Sequence, residues 1–203
     1  MDEKVIENHK RYSQRMNFYK DLGYDVLKER NFILEKAYPV YGNILEIGTG
    51  KGYFTVQLAK EGFKFTSIDI SKDEQKFAKL NIKYFGLEKN VDFRIEDAEH
   101  LSFDDSSYDV IFAINTLHHL KNSAEVIDEL IRILSFEGKI ILSDFNQKGL
   151  EIIGKIHSRE GKKHEAGTAT VLAVGNYLES KSFIVKKYNT EFQDVLIAYY
   201  QII

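Results

Sequence analysis

An α/β fold, with a mostly parallel sheet between two layers of helices, is predicted by three observations. Strand-like apolar runs alternate with segments of helical periodicity from about residue 40 to about 145, a pattern that calls for parallel strands joined by helical crossovers. The first run ends in a glycine-rich turn, Glu46-Ile47-Gly48-Thr49-Gly50-Lys51-Gly52. The second ends in an acid, Asp69. Open α/β sheets hold their ligands at such carboxyl ends of strands.

Along the chain, residues 1–38 read as helical, with Phe18, Leu22, Val26, Ile33 and Leu34 as candidate core contacts. The lone proline, Pro39, disfavours helix at Tyr38 and sets a boundary. Ile44, Leu45 and Ile47 then form a strand, and Phe54, Leu58 and Ala59 recur at helical spacing after the glycines. Glycine admits positive φ and close ligand approach, while the helix start presents unpaired N–H groups to a polar or negative group. A nucleotide-like cofactor on this turn is the expectation. A dinucleotide fingerprint would need its third glycine at position 53, which is Tyr53.

The second strand is read over residues 63–70. Asp69, about 20 residues past Gly48, is placed to accept hydrogen bonds from both hydroxyls of a ribose. Ser71-Lys72-Asp73-Glu74 is a capping box opening a helix with Phe77, Leu80 and Tyr84 on one face, stopped by Gly86. A short strand comes next within 91–103 and leads to Asp97-Ala98. Residues 107–120 give another strand whose exit carries Asn115, His118 and His119. Ile127, Leu130, Ile131 and Leu134 share a helix face, succeeded by a turn at Gly138 and a strand over 139–143. Residues 148–180 read as two helices around a basic connection, and the C-terminal region as two strands.

Taken together, Glu46-x-Gly48-x-Gly50-x-Gly52, the strand-end Asp69, Asp97-Ala98 and Tyr108-Asp109-Val110-Ile111 leading to Asn115 resemble, in that order, the motifs of class I S-adenosylmethionine-dependent methyltransferases. The resemblance covers residues 40–145, departing where Glu137 stands in place of the family's common proline. It implies a Rossmann-like seven-stranded, mostly parallel sheet with an antiparallel last strand. Residues 1–203 would then be one methyltransferase domain. Within it, 1–38 form a helical cap, 40–145 the cofactor core, 148–180 a substrate cap and 183–203 a closing strand pair. The implied cofactor is S-adenosyl-L-methionine, released as S-adenosyl-L-homocysteine. Glu46, Gly48, Thr49, Gly50 and Gly52 would hold its methionyl portion and Asp69 its ribose. Ile70 would cover one face of the adenine, with Asp97 and Ala98 at its edge. Asn115 would lie near the reacting centre, touching the cofactor through its backbone.

The residues after Asn115 bear on the acceptor. Enzymes that methylate amino groups of bases or glutamine often carry Asn/Asp-Pro-Pro-aromatic there. This chain has Asn115-Thr116-Leu117-His118, which looks more like the small-molecule, type 11-like branch. His118 is the candidate general base, because an imidazole titrates near neutral pH. Lys155, His157, Arg159, Lys162, Lys163 and His164 lie close together and could hold an anionic group on the substrate. Tyr12 and Tyr19 could close the pocket from the N-terminal side. The alternatives are an RNA or protein methyltransferase, or a non-catalytic cofactor-binding subunit.

Composition bounds these readings. A net charge of −3 creates no global field for nucleic acid. The absence of cysteine excludes disulfides, zinc–thiolate sites and thiolate catalysis. No metal site is expected, since adjacent histidines do not readily chelate one ion. A charged N-terminus and the lack of a long apolar run make a cytoplasmic protein the expectation.

Overall fold

The computed structural model describes residues 2–159, 167 and 169–201. Two helices, α1 (Glu3–Asp21) and α2 (Val26–Ala37), precede the sheet. Each opens on an aspartate, Asp2 and Asp25, whose carboxylate accepts from a backbone N–H of the first turn, a cap contributing about 1 kcal/mol. Then come β1 (Ile44–Ile47), α3 (Tyr53–Lys60), β2 (Phe65–Asp69), α4 (Lys72–Tyr84), β3 (Val91–Ile95) and β4 (Tyr108–Ile114). A short 3-10 turn, Leu117–His119, leads to α5 (Ser123–Ile133), β5 (Leu134–Phe145), α6 (Gln147–Arg159), α7 (Val171–Ser180), β6 (Phe183–Asn189) and β7 (Gln193–Tyr200).

The seven strands lie in the order β3-β2-β1-β4-β5-β7-β6. β1 to β5 pair in parallel, and β7 runs antiparallel to both its neighbours. This is the expected sheet, reversing strand order between β1 and β4. Such a reversal opens a crevice beyond the strand ends. Along β4 the side chains alternate. Ile111 and Ala113 pack with Val126, Ile127 and Leu130 of α5 and with Leu178 of α7, while Val110 and Phe112 meet Phe54, Leu58, Ile33 and Ile82 on the other face. A third cluster joins Tyr19, Tyr24 and Val26 to Ile153 and Ile156 of α6. It seats the N-terminal helices over the strand ends.

Three local expectations need correction. The buried stripe of α4 is Gln75, Ala78, Asn81 and Ile82 rather than Phe77, Leu80 and Tyr84. Two polar residues are drawn inward because each has partners: Gln75 donates to the carbonyl of Arg94 at 2.9 Å, and Asn81 accepts from Asn8 of α1 at 2.9 Å. Helix α5 ends at Ile133, and Leu134 already belongs to β5. Gly138 lies inside β5, beside a register shift between Tyr108 and Val110. A Cβ there would stand 2.9 Å from the carbonyl oxygen of Asp109, so the glycine serves a close strand approach rather than a turn.

Candidate functional site

The site forms where β1, β2 and β4 end. The three motif glycines all have positive φ, but for different reasons. A Cβ on Gly48 would collide with the side chain of Thr116, 2.3 Å from its Oγ1. On Gly52 it would meet Ala78 of α4 at 2.7 Å. On Gly50 it would meet nothing within 4 Å. Gly50 therefore leaves its own surface open, while Gly52 serves helix packing and lines neither cavity of the site. Thr49 turns its hydroxyl inward to Ser67 at 2.6 Å, while its N–H donates to Ile68 O at 3.0 Å and its carbonyl accepts from Gly52 N at 2.9 Å.

Glu46 is 2% exposed and accepts from Thr55 Oγ1 at 2.7 Å and Ser67 Oγ at 2.6 Å. Burial pushes its pKa up to about 7, although those two hydroxyls and the positive charge of Arg30 favour the carboxylate. Asp69 accepts from the N–H of Gly50 and of Ser71, each at 2.7 Å. It thus holds the glycine turn and the start of α4 together. A carboxylate has about four acceptor positions, so capacity for a diol remains.

A cavity of about 670 Å³ opens beyond these groups, lined by Gly48, Gly50, Asp69, Ile70, Asp97, Ala98 and Asn115 among others. Ile70 is 70% exposed, an apolar surface that a flat ring would cover. Asp97 is fixed by accepting from Glu99 N at 3.0 Å. Glu96, which belongs to no sequence motif, lines the same wall and accepts from Ser102 Oγ at 2.7 Å.

A second, smaller cavity of about 190 Å³ lies on the other side of Asn115 and shares Gly48, Gly50, Asn115 and His119 with the first. Its walls include Tyr19, Tyr24, Tyr53, Phe145 and His118. Asn115 adopts a left-handed φ of 55°, its N–H donates to Ser143 O at 2.7 Å, and its buried Oδ1 has no hydrogen-bond partner. Asparagine is among the few residues besides glycine that tolerate this conformation. The shared position of Asn115 makes it the hinge between the two spaces.

His118 is buried, and Asp144 at the end of β5 grips it twice. Asp144 Oδ2 accepts from His118 N at 2.8 Å, and Oδ1 lies 2.6 Å from Nδ1. A carboxylate on Nδ1 fixes the orientation of the ring. His119 also borders the cavity but is exposed, so both adjacent histidines reach the site and His118 is the one anchored by Asp144. Asp144 carries no sequence signal, because its spacing from His118 matches no motif. Arg30 belongs to no motif either: it lines this cavity, is 6% exposed, and its Nε and Nη1 have no hydrogen-bond partner. Two buried guanidinium nitrogens without an acceptor are costly unless an anion meets them.

Of the basic patch, His157 lines the small cavity, and Lys155 and Arg159 lie on α6. Lys162, Lys163 and His164 fall outside the described residues. Tyr19 lines the small cavity, whereas Tyr12 stacks on Tyr53 at 5.2 Å in a neighbouring groove. Among the described residues no group of three or more His, Asp or Glu could hold a metal ion, and no helix is long and apolar enough to cross a membrane.

Several known proteins resemble this chain. A family model described as a methyltransferase domain matches residues 41–193. A malonyl-[acyl-carrier protein] O-methyltransferase of Bacillus cereus is 30% identical over 192 residues, covering 92% of this chain and 67% of the relative. Norajmaline N-methyltransferase of Rauvolfia serpentina is 28% identical over 143 residues, covering 70% of this chain and 49% of its own. The chain thus spans about half the length of that relative. Among solved structures, the PH0226 protein of Pyrococcus horikoshii superposes with a TM-score of 0.71 at 23% identity, covering 94% of this chain and 99% of the other. A [4+2]-cyclase, SpnF, also superposes, with a TM-score of 0.69 at 15% identity over 86% of this chain and 81% of the other. The fold alone therefore does not assign the reaction.

Proposed function

Because the chain belongs to the class I S-adenosylmethionine-dependent methyltransferase family, we propose that it transfers a methyl group from that cofactor to a small-molecule acceptor, with His118 as general base. The observation that carries the reading is the meeting of two cavities at Asn115. The larger is lined by Asp69, Ile70, Asp97 and Ala98, groups that suit a nucleoside, and the smaller is walled by His118, which is paired with Asp144.

The residues present fit the cofactor. Asp69 would hold the ribose, Ile70 one face of the adenine, and Asp97 with Ala98 its edge. The methionyl portion would lie against the turn Gly48-Thr49-Gly50, whose N–H groups are held by Ile68 O and Asp69 and keep the turn in shape. The unpaired nitrogens of Arg30 suit its carboxylate and the buried Glu46 its ammonium. When bound, S-adenosylmethionine supplies a sulfonium methyl open to nucleophilic displacement. The protein's task is to place the acceptor and remove its proton. Holding the acceptor atom in line at about 3 Å can remove on the order of 7–11 kcal/mol from the barrier. His118, held by Asp144, takes the proton of an acceptor hydroxyl, a contribution of about 10²–10⁴-fold.

A small acceptor is supported by relatives named for norajmaline and for ubiquinone biosynthesis. The test is transfer of labelled methyl into a small-molecule extract, beside RNA and protein fractions. Label should enter the small-molecule fraction, and His118→Ala should lower turnover by about 10²–10⁴-fold with cofactor affinity unchanged. Label confined to RNA or protein, or no label at all, would overturn the acceptor class.

A further inference from the structure

A third cavity of about 430 Å³ lies between α1 and the glycine turn, and the proposed reaction does not use it. Lys51 and Tyr53 line both this groove and the inner cavity, so the two are neighbours through those side chains. Arg11 and Arg15, one turn apart on α1, supply further positive charge, and among the described residues no acidic side chain lines the groove. Its apolar surface comes from Tyr12, stacked on Tyr53, and from Phe18 and Phe77, the last 38% exposed.

The charges have neighbours that shape the site. Glu7 pairs with Arg11 from the preceding turn. Glu74 stands 3.8 Å from Lys51, at the outer limit of an ion pair. Arg15 donates to the hydroxyl of Tyr19 at 2.7 Å and lies over its ring, 5.4 Å from the centroid. Tyr19 is itself a wall of the inner cavity. Arg11, Arg15 and Lys51 thus line a ring-bearing groove whose nearest acids, Glu7 and Glu74, stand outside its lining. Guanidinium groups beside aromatic faces suit a phosphate attached to an apolar or ring-bearing portion.

We propose that this groove is the outer half of the acceptor site and binds a phosphate carried by the acceptor, while the atom to be methylated reaches past Tyr53 into the inner cavity. The proposal rests on the methyltransferase reading, since it places an acceptor in that inner cavity.

The probe is phenyl phosphate, with phenol as the uncharged control, titrated calorimetrically into protein saturated with S-adenosylhomocysteine. Phenyl phosphate should bind about tenfold or more tightly than phenol, and the double variant Arg11→Gln/Arg15→Gln should lose that advantage. Glu7→Gln should tighten it, because Arg11 loses its competing carboxylate, and Lys10→Gln, outside the groove, should leave it unchanged. S-adenosylhomocysteine affinity should stay constant throughout, which also reports that the variants are folded. Equal binding of phenol and phenyl phosphate, or an indifferent double variant, would overturn the groove assignment alone. Failure of the wild-type protein to bind S-adenosylhomocysteine would remove the underlying methyltransferase reading and the groove's role with it.

Discussion

Glu46 shows how one residue can serve both fold and site. Its carboxyl is fully enclosed, and burial raises its pKa to about 7 from the ordinary 4.5. The folded protein therefore holds a proton that the unfolded chain releases. Stability from this source is present below about pH 4.5 and is lost as pH rises to about 7. The melting temperature of ligand-free protein should fall across that window relative to Glu46→Gln. Parallel pH profiles would show that Glu46 does not titrate there. A second prediction concerns Asp144. Asp144→Asn keeps the size of the side chain but removes the charge that orients His118, so turnover should fall while S-adenosylhomocysteine affinity holds. Rescue by Asp144→Glu would separate charge from shape. At this scale the sequence showed the groups that belong to motifs, Glu46, Asp69 and His118. It hid Asp144 and Arg30, whose positions depend on strand register and on how a helix is seated over the sheet.

At the level of elements, the glycine turn was legible as a turn, but the reasons for its three glycines were not. Spacing alone suggests three contacts with a ligand. In the structure a Cβ would meet Thr116 at Gly48, α4 at Gly52 and open space at Gly50, and of the three only Gly48 and Gly50 line the cavities. Gly52→Ala should therefore destabilise the fold, by roughly 1–3 kcal/mol from the strained φ and more if α4 cannot yield. Thermal denaturation measures it, and an unchanged melting temperature would contradict the packing role. Gly50→Ala meets no neighbour and carries only the cost of its φ of +50°, so it should destabilise the fold less than Gly52→Ala. Helix α4 departs from its pattern in a related way. Hydrophobic spacing pointed to Phe77, Leu80 and Tyr84, yet Gln75 and Asn81 are the buried ones. Polar side chains that satisfy backbone carbonyls across a β2–β3 edge or join two helices are invisible to a pattern that counts only apolar residues.

Across the whole molecule, the alternation of strands and helices foretold the sheet because each crossover leaves its own periodicity in the chain. What it left open was how the terminal segments close over the strand ends. Tyr24, beside α2, accepts from Gln193 of β7, and Gln193 accepts in turn from Ser143 of β5. This buried chain ties the N-terminal helices to the far half of the sheet and fixes the roof of the inner cavity. Such contacts, between residues distant in sequence, arise only in the assembled fold. The same roof carries the basic groove, while part of the basic segment singled out in the sequence lies outside the described residues.

Calorimetric titration of S-adenosylhomocysteine, and separately of NAD, into wild-type protein and Asp69→Ala tests the central claim most directly. The nucleoside should bind wild-type protein with one molecule per chain and bind the variant about tenfold or more weakly, a loss of about 1.4 kcal/mol or more, while NAD shows no binding. Undiminished binding by Asp69→Ala, or a chain that takes NAD and refuses S-adenosylhomocysteine, would contradict it.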